Sequence, residues 1–285
     1  MNVFFLAVLA AALAGPLDNT TVTTAWLEQN LTNQEVLIVE VGPTALADKP
    51  HIPGSRFIPY DSLVVRSGWP PDELPPLEVL KNALGKSGVG DEGMIVLYSR
   101  DPLHATRAWF TLDYLGHGKR TAILDGGLTK WANERRPMTP TRFARAARTF
   151  TPHLQADRRV TSLDVRTGLQ GGVIVIDARP VPEFEGTKRG KSVARPGHIA
   201  GARSLPWTAN LTIRGDMKPV DELRTAYAAL GVTPESQVIV YCRTGVEASM
   251  PYFVLRSLGY NVRLYDGSYT EWSRDDAAPI ALGSR

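Results

Sequence analysis

The chain has 285 residues, 43% of them hydrophobic and 21% charged, with a formal net charge of +3. That balance excludes a disordered chain and allows two domains of about 100–150 residues each, while so small a charge lacks the concentrated basic face of a nucleic-acid binder. The single cysteine, Cys242, excludes an internal disulfide and every structural zinc site built on cysteine pairs.

Val3 to Ala14 is a continuous apolar run, too short for a membrane span of about 20 residues. Ala12-Leu13-Ala14 before Gly15 has the small-residue pattern of a cleavage site, although Met1-Asn2 brings no Lys or Arg to the start. Residues 1–14 therefore read as an export signal. Its removal implies a periplasmic or secreted protein with no membrane anchor; if the segment is not a signal, the protein stays in the cytoplasm. A lone thiol in an oxidising compartment points to function rather than packing.

The rest of the chain is written twice, at an offset of about 140 residues. Val22–Leu31 parallels Val160–Leu169, and Leu37-Ile-Val-Glu40 parallels Ile174-Val-Ile-Asp177. His51-Ile-Pro-Gly54 parallels His198-Ile-Ala-Gly201, and Ile95–Ser99 parallels Val238–Cys242. Asp125-Gly126 with Trp131 parallels Asp266-Gly267 with Trp272. The order is preserved throughout, which is the mark of duplication. Copy one spans 20–136 and copy two 160–280. Between them, 137–159 carries Pro137, Pro140, Pro152 and the arginines 142, 145, 148, 158 and 159, and reads as an extended surface linker.

Each copy predicts the same elements in order. A short helix is followed by a buried strand (Leu37–Glu40; Val173–Asp177), then a Pro/Gly-rich loop. A helix comes next (Leu77–Leu84; Asp221–Leu230), then a second strand (Met94–Tyr98; Gln237–Tyr241). A further helix (Ala105–Leu115; Ala248–Leu258) ends at Gly116 or Gly259, before a third strand (Ala122–Leu124; Val262–Tyr265). Unbroken apolar strands alternating with helices imply an α/β fold, each copy a parallel sheet with helices on both faces.

Cys242 lies just past a buried strand and before a helix, where open parallel sheets place their chemistry. In Cys242-Arg-Thr-Gly-Val-Glu-Ala-Ser249, Gly245 permits a turn at positive φ, so that backbone N–H groups face the sulfur. Those donors, the helix N-terminus and Arg243 are expected to pull the thiol below its ordinary value of about 8.5. Cysteine-dependent phosphatases require an arginine six positions after the cysteine, and Ala248 stands there.

The loop, together with Asp177-Ala-Arg179, Glu183-Phe-Glu-Gly186, Gly197-His-Ile-Ala-Gly-Ala202 and Asp266-Gly267 with Trp272, resembles the tandem-domain rhodaneses, the thiosulfate/3-mercaptopyruvate sulfurtransferases. The resemblance runs from Thr21 to about Pro279. It implies two rhodanese-like domains and a double displacement: Cys242 takes sulfur from a small-molecule donor as a persulfide, and a thiophilic acceptor such as cyanide or a thiol removes it. No metal or organic cofactor is implied, and the protein is expected to act as a monomer. The same thiol could instead serve a persulfide carrier or redox-sensing module.

The family's active site belongs to the second domain, and here Ser99 stands where Cys242 stands, with Pro102 opposite Gly245 and Asp101, which would repel an anion, opposite Thr244. In this family a cation after the cysteine goes with thiosulfate and small neutral residues with mercaptopyruvate. Arg243 thus favours thiosulfate, while Thr244, Glu183 and Glu247 pull the other way. The expected donor-binding residues are Arg243, Thr244, Gly245, Val246, Glu247 and Arg179. Asp177 and His198 are expected to be structural, since His51 repeats His198 in the inactive copy. Lys188, Arg189, Lys191 and Arg195 form a basic loop in copy two alone, either a solvated flap or an aid to anion attraction.

Overall fold

The structure, a computed structural model, describes residues 17, 20–67, 69–142 and 146–284. The expected export signal and Arg145 lie outside them. The chain forms two compact units. The first comprises the residues up to Leu63, with Pro75–Gln155 and Thr212–Pro219. The second comprises Val64–Leu74, Ala156–Leu211 and the residues from Val220 onward. Each unit is thus one sequence copy plus a loop whose sequence belongs to the other.

The first unit holds strands β1 (Thr21–Val22), β2 (Val36–Gly42), β3 (Arg56–Pro59), β4 (Met94–Tyr98) and β5 (Thr121–Leu124), in the order β1-β5-β4-β2-β3 with every pairing parallel. All seven residues of β2 are buried, so both faces of its sheet are covered. Trp131, Val96, Tyr98 and Leu124 belong to the core on one side of this sheet.

The second unit repeats the plan with β6 (Arg159–Val160), β7 (Ile174–Asp177), β9 (Arg203–Ser204), β10 (Gln237–Tyr241) and β11 (Asn261–Tyr265), ordered β6-β11-β10-β7-β9 and again parallel. A separate two-stranded antiparallel sheet pairs β8 (His198–Ile199) with β12 (Ile280–Ala281). The first unit has the same feature reduced to one bridge, His51 with Thr139. The expected elements lie within a few residues of those observed. The short helices Gly127–Asn133 and Ser268–Trp272, which follow the two Asp-Gly turns, are additions to the expectation.

The segment after Pro137 is extended, but it does not run free. Phe150 is buried, and Arg148, His153 and Gln155 donate backbone N–H bonds to Gly85, Leu115 and Tyr114 of the first unit. Arg142 enters that unit as a half-buried partner of a buried acid: its guanidinium pairs with Glu40 at 2.5 Å and also reaches the carbonyls of Ala47 and Ser55. In the second unit the equivalent acid, Asp177, is paired by Arg179 two residues along, a position that copy one fills with Gly42. A linker arginine thereby takes the place of the missing one.

Candidate active site

Strand β10 ends at Tyr241, opposite Asp177 of β7, and Cys242 is the next residue at the carboxyl edge of the sheet. Tyr241 is itself buried, and its hydroxyl accepts the Ile199 N–H at 3.1 Å. The loop that follows turns at Gly245, where φ is +83°. The Val246 carbonyl accepts the Ser249 N–H at 3.1 Å and draws the chain into the helix Ser249–Ser257. The backbone N–H groups of Thr244 and Ala248 donate to the Cys242 sulfur.

The floor of the loop comes from the helix Ser268–Trp272. Its N–H groups at Tyr269 and Thr270 bond the carbonyls of Cys242 and Arg243, each at 3.0 Å. Ser268 accepts the Cys242 N–H through its hydroxyl at 3.3 Å and donates to the Tyr265 carbonyl at 2.7 Å. Ser268 sits at φ +53°, a left-handed conformation that costs a non-glycine residue of order 1–3 kcal/mol. The sequence reading passed over Ser268; the signal it carried was a serine where copy one has Gly127 at φ +56°.

The charged side chains around the loop pair off. Arg243 meets Glu183 at 3.3 Å, and Gly190 packs so closely over both that a Cβ there would lie 2.6 Å from the Glu183 carboxylate and 3.1 Å from Arg243 Cδ. One oxygen of Glu183, Oε2, is buried without a partner. Thr244 donates its hydroxyl to Asp72 at 3.1 Å, and Asp72 is held by Arg66 at 2.8 Å. Asp72 is a second residue the sequence reading missed, because the loop 64–74 belongs in sequence to copy one and in structure to this unit.

Arg179 was expected to touch the donor. The structure instead leaves it 1% exposed. It forks onto Asp177 at 2.5–3.0 Å, bonds the Gly197 carbonyl and lies 3.9 Å from the centre of the Tyr269 ring. It holds the loop's support rather than a substrate. His198 is buried, stacked on Phe184 at 3.7 Å with Nδ1 on the Phe184 carbonyl. Arg195 leaves the basic loop to bind the carbonyls of Ser273, Asp275 and Ala278, while Lys188, Arg189 and Lys191 stay exposed.

The acid–base setting of Cys242 also corrects the expectation. Its thiol is 1% exposed, and burial pushes it up to about 12. The Glu247 carboxylate adds to that rise, and the N–H groups of Ala248 and Thr244 oppose it. Full burial outweighs the loop's dipoles because a thiolate loses more hydration than two N–H bonds return. Burial raises Glu247 as well, to about 7, with Arg243 pulling it down and Glu183 and Asp177 pushing it up. A cleft of about 110 Å³ lies in the first unit, at the corresponding place in copy one, lined by Ser99, Arg100, Thr106, Asp125 and Arg214. It holds no thiol.

The described residues contain no cluster of side chains suited to a metal ion. The family profile of the Rhodanese-like domain matches residues 23–134 and 161–275. A sulfur carrier protein of Thermus thermophilus is 31% identical over 92% of this chain and 96% of its own length. A putative thiosulfate sulfurtransferase of Synechococcus elongatus is 33% identical over 92% of this chain and 85% of its own. The crystal structure of YnjE superposes with a TM-score of 0.80 at 27% identity, covering 95% of this chain and 70% of that one.

Proposed function

The chain belongs to the rhodanese family, in which it is a tandem sulfurtransferase, and on that footing we propose that it transfers sulfane sulfur from thiosulfate to a thiophilic acceptor through a persulfide on Cys242. The observation that carries this reading is the cradle: the thiol sits at a strand end with two backbone N–H groups aimed at its sulfur and Ala248, not arginine, closing the loop. Such a cradle suits a persulfide anion, and it lacks the arginine six positions after the cysteine that cysteine-dependent phosphatases require. The Cys242 thiolate attacks the outer sulfur of thiosulfate, the S–S bond breaks, and sulfite leaves with the electron pair. The acceptor nucleophile then attacks the outer persulfide sulfur and restores the thiolate.

Arg243 supports thiosulfate because a guanidinium matches the oxygens of departing sulfite. For that contact it must exchange Glu183 for the donor. A second reading is a persulfide carrier that hands its sulfur to a protein, favoured by the name of the Thermus relative. Mercaptopyruvate is the alternative donor, favoured by the same Glu183 pairing.

Thiocyanate formation from cyanide decides among them. Turnover with thiosulfate exceeding that with 3-mercaptopyruvate, lost in Cys242→Ser, is the expected result. No turnover with either donor removes the enzyme reading, and turnover surviving in Cys242→Ser removes Cys242. We further propose that the protein acts outside the cytoplasm as a monomer. A mature N-terminus at Gly15 in the exported fraction checks the first part, and sedimentation checks the second.

A further inference from the structure

Copy two carries a stretch that copy one has only in shortened form: residues 180–197 lead from Arg179 to His198, where residues 43–50 lead from Gly42 to His51. Its second part, residues 187–196, is an Ω-loop whose ends are pinched together. Gly186 and Gly197 take φ of +79° and +105°, and a Cβ on Gly186 would lie 3.0 Å from the Gly197 nitrogen. This neck is fixed, since the Gly197 carbonyl accepts from Arg179 at 2.8 Å and the Glu185 carbonyl accepts the Gly283 N–H at 3.0 Å. The returning side of the loop is tied down as well, by the Ala194 N–H on the Ser273 hydroxyl at 3.0 Å and by Arg195 on its three carbonyls.

The tip is held differently. Thr187–Arg189, Lys191 and Ser192 are exposed, and Gly190 in their midst is buried. Gly190 seats on the Arg243–Glu183 pair without room for a Cβ, and its φ is not left-handed, so glycine serves there for space rather than conformation. The Val193 N–H bond to the Gly190 carbonyl, at 3.3 Å, stays within the loop. With Gly190 seated, Glu183 Oε2 is buried without a partner, a desolvated carboxylate oxygen that regains water when the tip lifts. The contact is therefore close in shape and poor in bonding, while Cys242, next to Arg243, is 1% exposed.

We propose that residues 187–196 are a lid over the catalytic loop, seated through Gly190 on Arg243 and Glu183, and that it must lift before a sulfur donor reaches Arg243 and the Cys242 sulfur. The part played by the donor rests on Cys242 being the sulfur-accepting nucleophile; the lid itself does not. Lifting wets Glu183 and frees Arg243 to exchange that carboxylate for a ligand, and closing shuts the loop from water between the two sulfur transfers. The donor's apparent affinity scales with the open fraction, and so does the rate at which any reagent finds the thiol.

The test reads iodoacetamide modification of Cys242, the single cysteine, by intact mass. Gly190→Val places a side chain where none fits and props the lid open. Its modification rate should rise about ten-fold or more over wild type, with an unchanged urea midpoint showing that the rise is local. Lys188, Arg189 and Lys191 give a second arm in the unsubstituted protein, because trypsin can cut after each of them. Brief digestion should nick the chain within the lid, and the nicked protein should be modified faster to a similar degree. A folded Gly190→Val modified at the wild-type rate overturns the proposal. Where that variant does not fold or its midpoint drops, the digestion decides: a lid left uncut, or nicked protein modified at the wild-type rate, overturns it too. If modification speeds up as expected while neither donor turns over, the sulfurtransferase reading fails and the lid stands. Turnover with modification unaltered leaves the enzyme and removes the lid.

Discussion

Two loops of one chain, Cys242–Ser249 and Ser99–Thr106, share a frame and differ in what fills it. Each follows a strand that ends in a buried tyrosine, whose hydroxyl accepts an isoleucine N–H, from Ile199 in one copy and Ile52 in the other. The carbonyl of Cys242 accepts the Tyr269 N–H, and that of Ser99 accepts the Leu128 N–H. In the second unit Gly245 turns the chain and the N–H groups face a sulfur. In the first, Pro102 opens the helix, and Asp101 caps it through its side chain on the Leu103 N–H. The Asp101 carbonyl in turn takes the Ser99 hydroxyl. Asp101, expected from sequence to repel an anion, also draws the Leu103 N–H to its side chain and the Ser99 hydroxyl to its carbonyl. The first loop lost its chemistry by being filled, while its frame stayed whole.

The largest effect is expected from breaking that contrast directly. Cys242→Ser should lower sulfur transfer by about 10³-fold or more, since a hydroxyl does not carry a sulfane sulfur. Adding Ser99→Cys to that variant should restore nothing, because copy one has Pro102 in place of the turn glycine and Asp101 ties the chain into the helix through the Leu103 N–H. Recovery of more than about 1% of wild-type rate in the double variant would show that a thiol alone suffices.

The contrast extends to the buried acids. Arg179→Ala strands Asp177, which is 0% exposed, and should destabilise the second unit by about 3–5 kcal/mol, as for any broken buried ion pair. Arg142→Ala should destabilise the first unit by about 2 kcal/mol. It costs less because Arg142 is 15% exposed and Arg100 remains 3.7 Å from Glu40. Urea unfolding of both variants, with thiocyanate assays alongside, separates the two. Arg179→Ala should also slow turnover, whereas Arg142→Ala should leave it intact. An unchanged unfolding midpoint in Arg142→Ala would make the segment after Pro137 a plain tether.

Glu247 gives a smaller, pH-dependent effect that copy one does not share, because His104 stands at its place in the helix Pro102–Tyr114. Its folded value near 7 lies above the ordinary value of about 4.3, so the fold binds the proton more tightly than the unfolded chain does. Stability is therefore full below about pH 4 and declines as pH rises through 7. Glu247→Gln should stabilise the protein by on the order of 2 kcal/mol at pH 8 and by nothing measurable at pH 4. Equal gains at both pH values would assign the effect to packing.

What the sequence disclosed divides along a physical line. The duplication, the parallel sheets, the strand-end position of Cys242 and the positive φ at Gly245 follow from local pattern and backbone sterics, which a single sequence carries. The capture of Arg142 by Glu40 and the arrival of Asp72 at Thr244 depend on residues far apart in the chain that meet through the fold, and the fork of Arg179 on Asp177, though local, is sealed from substrate by what packs over it. The raised thiol was misjudged for a related reason. Dipoles and a neighbouring arginine are visible in the motif, but the degree of burial is a property of everything packed around it.

The smallest expected effect concerns Ser268, and it sharpens the comparison most finely because it turns one residue of copy two into its copy-one equivalent. Ser268→Gly removes the hydroxyl that accepts the Cys242 N–H and also removes the cost of φ +53° at a residue with a Cβ. Relief of backbone strain, about 1–3 kcal/mol, offsets the loss of two hydrogen bonds of about 0.5–1.5 kcal/mol each. Overall stability should thus change by less than about 1 kcal/mol. Turnover should fall a few-fold, because the Cys242 N–H loses its fixed acceptor and the loop its fixed register. Ser268→Ala should behave differently: it keeps the strain, loses the hydroxyl, and should be destabilised by about 1–2 kcal/mol with the same drop in rate. Equal stability of the alanine and glycine variants would mean that the left-handed backbone at this position carries no strain. Unchanged turnover in both would mean that the helix Ser268–Trp272 holds the loop through its main-chain N–H groups alone.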